Sequence, residues 1–311
     1  MFDVSCIGVI TADVLAKPVD ALPQKGLLGK VDRIQLSVGG CASNAALGLA
    51  KLGMRAQLFG RLGDDSFGRF VKGEIEGAGV DTDSLHIGGG AQTSSSVVAV
   101  NADGERSIMH CFGSNAEFCF GDIDFEKIKR APVLFIAGTF LMPAFDGEGA
   151  RGLLEKAGAA GILRCLDTAW DPTGNWMKTL GCCLPYVDWF MPSYEEAAQL
   201  SGKTRAEDMA DIFIKSGAKN AVIKLGAVGC YVKTADGRGF YQTAYSVPVT
   251  DTSGAGDAFC AGFIAGLSKG WDIKKCAGLA NAAGANCVME MGTTAGIKNM
   301  DETIAFMQRK G

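Results

Sequence analysis

The sequence predicts an α/β protein with a central, mainly parallel sheet flanked by helices. Short β-branched or apolar runs alternate with helical patterns through most of the chain, and most of these runs are followed directly by a helical segment. The chain has 311 residues and contains no linker rich in proline and serine. We therefore expect a single domain over residues 1–311, although this length also allows two domains.

Local patterns predict the individual elements. Six apolar runs are expected to form strands: residues 4–10, 56–61, 133–137, 162–166, 189–191 and 221–225. A helix is predicted over residues 42–52, because Gly53 suits the position just after a helix end. A second helix is predicted over residues 67–76, behind the capping residues Asp-Asp-Ser at 64–66.

The C-terminal part of the chain is predicted to be helical. Helices are expected over residues 255–267 and 273–289, and both carry small residues at helical spacing, such as Gly262 and Ala280. Small residues let two helix backbones approach closely. We expect these two helices to pack together.

Two early segments, residues 14–38 and 83–112, break the alternation of strands and helices. They have the pattern of short strands joined by polar turns, with one turn at residues 102–105 between strand-like runs at 97–100 and 107–111. Hairpins inserted early in an α/β chain indicate a small β lid over one edge of the sheet.

Composition and charge exclude several classes of partner. The net charge of −4 and the absence of a cluster of basic residues argue against nucleic-acid binding. The sequence has no apolar stretch of about 18 residues, so we expect no membrane association, and Asp3 stands where a secretory signal would be basic. Most of the 11 cysteines lie singly within apolar runs, which indicates buried thiols in the reducing cytoplasm.

The strongest functional motif is residues 251–259, with the sequence DTSGAGDAF. It follows a strand-like run at 245–250 and directly precedes a predicted helix. Glycines at a helix N terminus let the backbone N–H groups of Gly254, Ala255 and Gly256 converge on an anion, and the helix dipole adds positive potential. The motif therefore predicts a phosphate site. It is neither a Walker A loop nor a complete dinucleotide fingerprint.

Asp257 places a carboxylate beside this anion site. The helix dipole is expected to favour its ionised form, which suits an acceptor for the proton of a substrate hydroxyl during phosphoryl transfer. The alternative is that Asp257 is simply a favourable residue for the first turn of a helix.

The whole string 251–259 resembles the second signature of the ribokinase family, the PfkB-type carbohydrate kinases, which reads D-[ST]-x-G-A-G-D-x-F. The resemblance implies a ribokinase-like fold. It also implies that Asp257 is the catalytic base and that Gly254, Ala255 and Gly256 form the anion hole for the transferring phosphate.

The front of the chain is similar to the first signature of the same family. The matching residues are GGCASNAA at 39–46 and the glycine-rich stretch at 60–68. GVITAD at 8–13 resembles the family's G-x-x-x-x-D at the end of the first strand, and GSN at 113–115 resembles its G-A-N segment. The resemblance implies a substrate site formed by Asp13, Gly39, Gly40, Asn44 and Asn115.

MPSYEEA at 191–197 is similar to the family's P-N-x-x-E-A segment, whose glutamate helps to organise magnesium (Mg2+) through water. Glu196 matches this glutamate, whereas Ser193 stands in place of the usual asparagine. The residues also fit a capping box with Ser193 as N-cap and Glu196 three residues later, and both interpretations can hold together.

KLGAVG at 224–229 is similar to the family's t-L-G-x-x-G, which implies that Lys224, Gly226 and Gly229 lie at the nucleotide. The Lys224 side chain could point at the phosphates or at solvent. Asn281 occupies the region that lines the adenine pocket in the family. Asp251 and Gly292 fit the loop that holds a monovalent cation, potassium (K+), in several relatives.

These observations predict a kinase that uses ATP and Mg2+ to phosphorylate a hydroxyl of a sugar or sugar-like molecule, and that forms a homodimer through its lid, as is common in the family. One alternative is a purine nucleoside kinase, since such kinases share these signatures. The segment AGT at 137–139 disfavours ribose itself, because ribokinase-like enzymes often place an acidic or amide side chain there. The other alternative is a non-catalytic sugar or nucleotide sensor, against which the intact Asp257 argues.

Overall fold

A computed structural model describes residues 1–102 and 106–310. Residues 103–105, three of the four positions of the predicted turn at 102–105, lie outside the described residues. The strands are β1 Val4–Gly8, β2 Thr11–Lys17, β3 Arg33–Gly39, β4 Ala56–Leu62, β5 Asp81–Ile87, β6 Ser95–Val100, β7 Arg106–Cys111, β8 Val133–Thr139, β9 Leu163–Thr168, β10 Trp189–Phe190, β11 Asn220–Lys224, β12 Gly229–Lys233 and β13 Gly239–Thr243. The helices are α1 Cys41–Lys51, α2 Ser66–Gly77, α3 Phe125–Ile128, α4 Glu148–Ala159, α5 Met177–Leu180, α6 Tyr194–Ser201, α7 Ala206–Lys215, α8 Ala255–Ser268, α9 Ile273–Val288 and α10 Met300–Lys310.

The larger sheet has the strand order β13-β12-β11-β10-β9-β8-β1-β4-β5. Its strands from β11 to β5 run parallel, and β12 and β13 add an antiparallel hairpin at one edge. The predicted mainly parallel sheet is confirmed. Each of the six strands predicted from apolar runs begins within one residue of an observed strand.

Helices cover both faces of this sheet. Successive residues of a strand point to opposite faces, and so Cys6 packs into one apolar core while Ile7 packs into the other. The first core contains residues of α1, α2, α8 and α9, and the second contains residues of α4, α6 and α7. This packing places the N-terminal ends of α1 and α8 at the carboxyl edge of the parallel strands.

The predicted packing of the two C-terminal helices is confirmed in α8 and α9. A Cβ atom at Gly262 would lie 2.9 Å from the Cα atom of Ala280, a distance too short for any residue larger than glycine. The helix starts also follow the sequence. Asp65 caps α2 by accepting a hydrogen bond of 2.7 Å from the N–H of Gly68.

A separate small sheet has the order β3-β2-β6-β7, and most of its strand residues come from the two predicted lid segments. The small sheet begins earlier than predicted, because β2 starts at Thr11 and not at residue 14. The second predicted segment also differs. Residues 83–87 belong to β5, which pairs with β4 in the larger sheet, with Gly60 opposite Leu85. Because β5 is an edge strand with several exposed polar side chains, its sequence has the same pattern as the lid strands.

The strand predicted at residues 245–250 is wrong, because this segment is irregular. Pro248 has no N–H to give to a neighbouring strand, and the N–H groups of Thr250 and Asp251 both donate to the carbonyl of Val288 at the end of α9. In the described part of the chain, no helix is both long and apolar enough to cross a membrane.

Candidate active site

The predicted anion cradle lies at the first turn of α8. The helix begins at Ala255, and Gly254 precedes it in the left-handed conformation with φ of 73°. A Cβ atom at Gly254 would overlap the carbonyl oxygen of Thr293, so this position requires glycine. The N–H of Ala255 donates a bond of 3.3 Å to the carbonyl of Thr252. The N–H groups of Gly256 and Asp257 belong to the first turn, where no earlier helical carbonyl can accept them.

Asp257 and Asn44 meet across the two helix N termini. The Nδ2 atom of Asn44 in α1 donates a hydrogen bond of 2.8 Å to Oδ2 of Asp257 in α8, although the two residues are 213 positions apart. The Oδ1 atom of Asn44 is buried and has no hydrogen-bond partner among the described residues. Such a group is costly unless it is paired, and a hydroxyl donor would satisfy it.

The pKa of the Asp257 carboxyl is raised to about 7, chiefly by burial; the negative charge of Asp167 acts in the same direction, and Asn44 and Lys224 act against it. The sequence alone favours the ionised form through the helix dipole. In the folded chain burial is the larger effect. A carboxyl group with a pKa near neutrality can accept a proton and release it again at the pH at which most enzymes work.

The predicted substrate residues Asp13, Gly39 and Gly40 lie together where the small sheet meets α1. Asp13 is in β2, the first strand of the small sheet, and not at the end of β1 as expected. A Cβ atom at Gly39 would overlap Oδ2 of Asp13, so glycine is what lets the carboxylate lie against the backbone. Thr11 donates a hydrogen bond of 3.0 Å to Asp13, and burial raises the pKa of Asp13.

Asn115 braces the chain between β1 and β2. Its Oδ1 accepts from the N–H of Ile10 at 3.3 Å, and its Nδ2 donates to the carbonyl of Ile10 at 3.0 Å. The amide is buried and both of its ends are engaged with the backbone. A direct contact between Asn115 and a substrate stays a prediction.

Glu196 lies at the start of α6 and forms the predicted capping box. Its backbone N–H donates to the hydroxyl of Ser193, and its Oε2 accepts from the N–H of Ser193 at 3.0 Å and from the hydroxyl of Thr168 at 2.9 Å. Burial raises the pKa of Glu196, and the nearby charge of Asp167 adds to the shift while Lys224 opposes it. A cation would favour the ionised form of this carboxylate, so the donor set fits magnesium bound through water.

The Lys224 side chain, at the end of β11, is largely buried and forms an ion pair. Its Nζ atom lies 2.7 Å from Oδ2 of Asp167, a buried carboxylate near the end of β9. Sequence reasoning missed Asp167. The signal that could have found it is a carboxylate directly after the predicted strand at 162–166, because ligands of α/β proteins lie at the carboxyl ends of strands.

Three other predicted nucleotide residues lie where β11, β12 and β13 turn. Gly226 is exposed just after β11, and Gly229 begins β12. The Nδ2 atom of Asn281 donates bonds of 3.0 Å to the carbonyls of Gln242 and Thr243, and thereby ties α9 to the end of β13. Asn281 thus has a structural contact in addition to its predicted adenine contact.

The two predicted cation residues are brought together. One carboxylate oxygen of Asp251 accepts from the N–H of Gly292 at 2.9 Å, and the other accepts from the N–H of Ser253 at 2.9 Å. These bonds join the segment before α8 to the loop after α9. Among the described residues, no cluster of three or more His, Cys, Asp or Glu side chains could hold a metal ion by itself.

Comparisons with known proteins agree with this arrangement. Residues 1–300 match the family described as pfkB family carbohydrate kinase. The chain is 27% identical over 293 residues to the 2-dehydro-3-deoxygluconokinase of Bacillus subtilis (strain 168), covering 91% of this chain and 90% of that protein. It is 29% identical over 279 residues to the aminoimidazole riboside kinase of Salmonella typhimurium (strain LT2), covering 86% and 87% of the two proteins.

The fold is similar to that of Arabidopsis thaliana ribokinase complexed with ribose and ATP, with a TM-score of 0.88 at 24% sequence identity and 99% of each chain covered. The predicted ribokinase-like fold is confirmed. The family match spans nearly the whole chain, and the two motifs that predicted it meet at one site. The chain belongs to the pfkB family of carbohydrate kinases, and its activity is the ATP-dependent phosphorylation of a sugar-like small molecule.

Proposed function

We propose that Asp257 is the general base that accepts the proton of the acceptor hydroxyl. The observation that carries this proposal is the hydrogen bond of 2.8 Å between Asn44 and Asp257. It joins an amide on the acceptor side to a carboxylate in the first turn of α8. A hydroxyl bound to Asn44 Oδ1 would therefore lie beside both the base and the anion cradle.

The acceptor binds on the side of the small sheet in this proposal. The residues that contact it are Asp13, Gly39, Gly40 and Asn44, with Asn115 holding the backbone of Ile10 behind them. Carboxylate and amide oxygens accept hydrogen bonds from hydroxyl groups, and the glycines allow a close approach of the backbone. This set suits a molecule that carries several hydroxyl groups.

The transfer follows from the order of these groups. The acceptor oxygen attacks the γ-phosphorus of ATP while its proton passes to Asp257, and the bond from phosphorus to the ADP oxygen breaks. The backbone N–H groups over residues 254–256 stabilise the negative charge on the phosphoryl oxygens. The small sheet acts as a lid that excludes water, which would otherwise take the place of the acceptor.

Glu196 is the proposed support for magnesium, through bound water. Magnesium supplies positive charge that neutralises the phosphate oxygens during transfer. Ser193, which stands where the family has asparagine, keeps Glu196 in place through the capping box.

The proposed nucleotide contacts are Lys224, Gly226, Gly229 and Asn281.

The proposed site of a K+ ion is formed by Asp251 and Gly292. The support for this cation site is that Asp251 and the loop after α9 are joined by a hydrogen bond of 2.9 Å next to the cradle. A potassium ion there would hold the N–H groups of the first turn in place. We expect the turnover rate with K+ to be several-fold higher than the rate in a Tris buffer free of sodium. Equal rates at fixed magnesium and ionic strength would remove the site.

The acceptor class is tested by measuring ADP release with ATP and Mg2+ in a coupled assay. The panel contains free hexoses, pentoses, keto-acid sugars, nucleosides and sugar phosphates. We expect turnover with an unphosphorylated acceptor of the polyol type. Activity on phosphorylated sugars alone would overturn this choice, and release of ADP without any acceptor measures the background.

A nucleoside acceptor is the second candidate, and it is supported by the similarity to the aminoimidazole riboside kinase. The nucleoside arm of the same panel separates it from a free sugar. A kcat/KM at least about tenfold higher for a nucleoside than for every free sugar, or 1.4 kcal/mol in transition-state binding, would decide for it.

We propose that two copies of the chain associate through the outer face of the small sheet, and that the kinase works in the cytoplasm. The face opposite Asp13 carries Val14, Leu36, Val97 and Met109, which the strand register places in one row. Val97 and Met109 are 43% and 57% exposed, which is unusual for apolar side chains in the middle of strands.

The support for the cytoplasmic location is that all 11 cysteines are free, as expected in a reducing compartment.

A further inference from the structure

A buried ion pair lies beside the phosphate cradle. The Nζ atom of Lys224 is 2.7 Å from Oδ2 and 2.8 Å from Oδ1 of Asp167, and the exposed fractions of the two side chains are 11% and 2%. Lys224 ends β11, and Asp167 is the last residue but one of β9. The pair therefore bridges the carboxyl end of the short strand β10, which lies between them.

The ammonium group of Lys224 faces the first turn of α8. A Cβ atom added to Gly256 would lie 3.4 Å from Nζ of Lys224. Cβ atoms of a helix point toward its N terminus, so Nζ lies near the end of the helix where the first N–H groups are exposed to a ligand. The lysine thus presents a charged N–H donor at this end of the helix, with its charge balanced by the Asp167 carboxylate on the other side.

One donor of this ammonium group is available to a ligand. A lysine has three N–H donors, and the two oxygens of Asp167 account for two of them. Among the described residues, the third donor has only the thiol sulfur of Cys260, at 3.8 Å and a weak acceptor. An anionic oxygen in the cradle would complete the set.

Asp167 also keeps Lys224 charged. Burial by itself would lower the pKa of Lys224, but the Asp167 carboxylate outweighs burial and raises the pKa above its usual value. The carboxylate of Glu196 acts in the same direction. Without Asp167 the ammonium group would lose both its position and its main source of electrostatic support.

We propose that Lys224 donates a hydrogen bond to the phosphoryl group during transfer, and that Asp167 is the positioning residue that holds Lys224 against the first turn of α8. This inference rests on the proposed kinase mechanism and deepens it. Lys224 gives up no proton in the step, because the acceptor proton goes to Asp257 and the electrons of the broken bond stay on ADP. Asp167 touches neither substrate and acts only through Lys224.

The test uses Lys224→Met, Asp167→Asn and the double variant. Each is measured for kcat and KM, and for the Kd of ATP and of ADP by titration calorimetry with Mg2+. Loss of one donor to the transferring group is expected to lower kcat by about 10²- to 10³-fold in Lys224→Met. The Kd for ATP should rise, while the Kd for ADP, which lacks the γ-phosphate, should change by less than about threefold.

Asp167→Asn is expected to lower kcat by at least about tenfold when made alone. In the Lys224→Met background it should lower kcat by less than about twofold, because Asp167 then has no lysine to position. If the ion pair only stabilised the fold, its loss would lower the melting temperature. The ratio of the Kd for ATP to the Kd for ADP would then stay unchanged.

Lys219→Met is the matched control, since Lys219 pairs with Asp188 at 2.7 Å at the opposite edge of the sheet. Its kcat should equal that of the wild type. The inference would be overturned if kcat of Lys224→Met or of Asp167→Asn lay within about twofold of the wild-type value. It would also be overturned if Asp167→Asn lowered kcat as much in the Lys224→Met background as in the wild type.

Asp167→Asn leaves a buried lysine without its partner and risks failing to fold. In that case the test compares kcat of Lys224→Met with kcat of the double variant, since both lack the buried cation. Equal kcat values support the inference, and unequal values overturn it. A wild-type protein that releases no ADP with any acceptor would instead count against the proposed function.

Discussion

At the scale of single residues, the site depends on a pair of side chains from distant parts of the chain. Asn44 and Asp257 are 213 positions apart, yet their side chains are joined by a hydrogen bond of 2.8 Å. The same contact leaves Oδ1 of Asn44 buried and, within the described residues, without a partner. Both features fit an amide that receives the acceptor hydroxyl and orients the base.

Asp257→Asn is expected to reduce kcat by about 10²- to 10⁴-fold, because asparagine keeps the size and much of the hydrogen bonding of aspartate but cannot accept the proton. The affinity for ATP should be retained or slightly increased, since one negative charge near the nucleotide is lost. Steady-state kinetics and ATP titration measure the two effects. Asp272→Asn is the control, because Asp272 caps α9 far from the chemistry and asparagine is an equally good cap. Near-normal turnover of Asp257→Asn would place the base elsewhere, and an unfolded Asp257→Asn would mean that the residue is needed for the first turn of α8.

The activity should depend on pH through the same carboxyl group. Burial raises the pKa of Asp257 to about 7, and only the ionised form can accept a proton. We therefore expect kcat/KM to fall about tenfold for each pH unit below 7 and to level off above it. The profile is measured at constant concentration of the magnesium complex of ATP. The residual rate of Asp257→Asn should lack this limb, and a wild-type limb near pH 4 would contradict the assignment.

At the scale of elements, the position of the cradle depends on how α8 packs. This helix contacts α1 on one side and α9 on the other, so the close approach of α8 and α9 fixes the direction from which the first turn of α8 reaches the site. The approach is possible because Gly262 faces the backbone of α9.

Gly262→Ala and Gly73→Ala should change stability in opposite directions. A Cβ atom at Gly262 would lie 2.9 Å from both Ala280 Cα and the carbonyl oxygen of Leu279, so the helices must move apart at a cost of about 1–3 kcal/mol. Gly73 is inside α2 with no atom within 4 Å of an added Cβ, and alanine there should stabilise the fold by about 0.5–1 kcal/mol. Denaturant unfolding measures both free energies. A Gly262→Ala protein as stable as the wild type would show that the two helices can separate freely.

At the scale of the whole molecule, the small sheet has two different faces. One carries Asp13 and faces the proposed acceptor site, and the other carries the row of Val14, Leu36, Val97 and Met109. The row is exposed at Val97 and Met109 and partly buried at Val14 and Leu36. Such an apolar surface is suited to a second copy of itself, since two copies related by a twofold axis present the same patch to each other.

Val97→Asp is expected to convert a dimer into a monomer at micromolar concentration, because it places a charge in the centre of the apolar row. Sedimentation velocity of the wild type and the variant measures this. Leu28→Asp is the control, because Leu28 is 92% exposed but lies in the loop between β2 and β3, outside the apolar row. The oligomeric state of this variant should match that of the wild type. A monomeric wild type, or a variant that remains dimeric, would contradict association through this face.

The sequence by itself determined the features that depend on neighbouring residues. The capping box of Ser193 and Glu196, the N-cap Asp65 and the glycine before α8 all lie within four positions of the group they serve. Interactions at this range are formed by local backbone geometry, and so a short pattern is enough to predict them. The alternation of strands and helices likewise follows from local periodicity.

The tertiary structure alone decided which of these groups meet. Strand order brings Asp167 to Lys224 across β10, and burial raises the pKa of Asp257 although the helix dipole alone favours ionisation. The tertiary structure also assigned β5 to the larger sheet. The sequence could not make this assignment, because exposed polar residues give the same pattern on an edge strand and on a lid strand. Pairings between distant segments and the burial that accompanies them depend on the whole packed chain, and no local pattern contains that information.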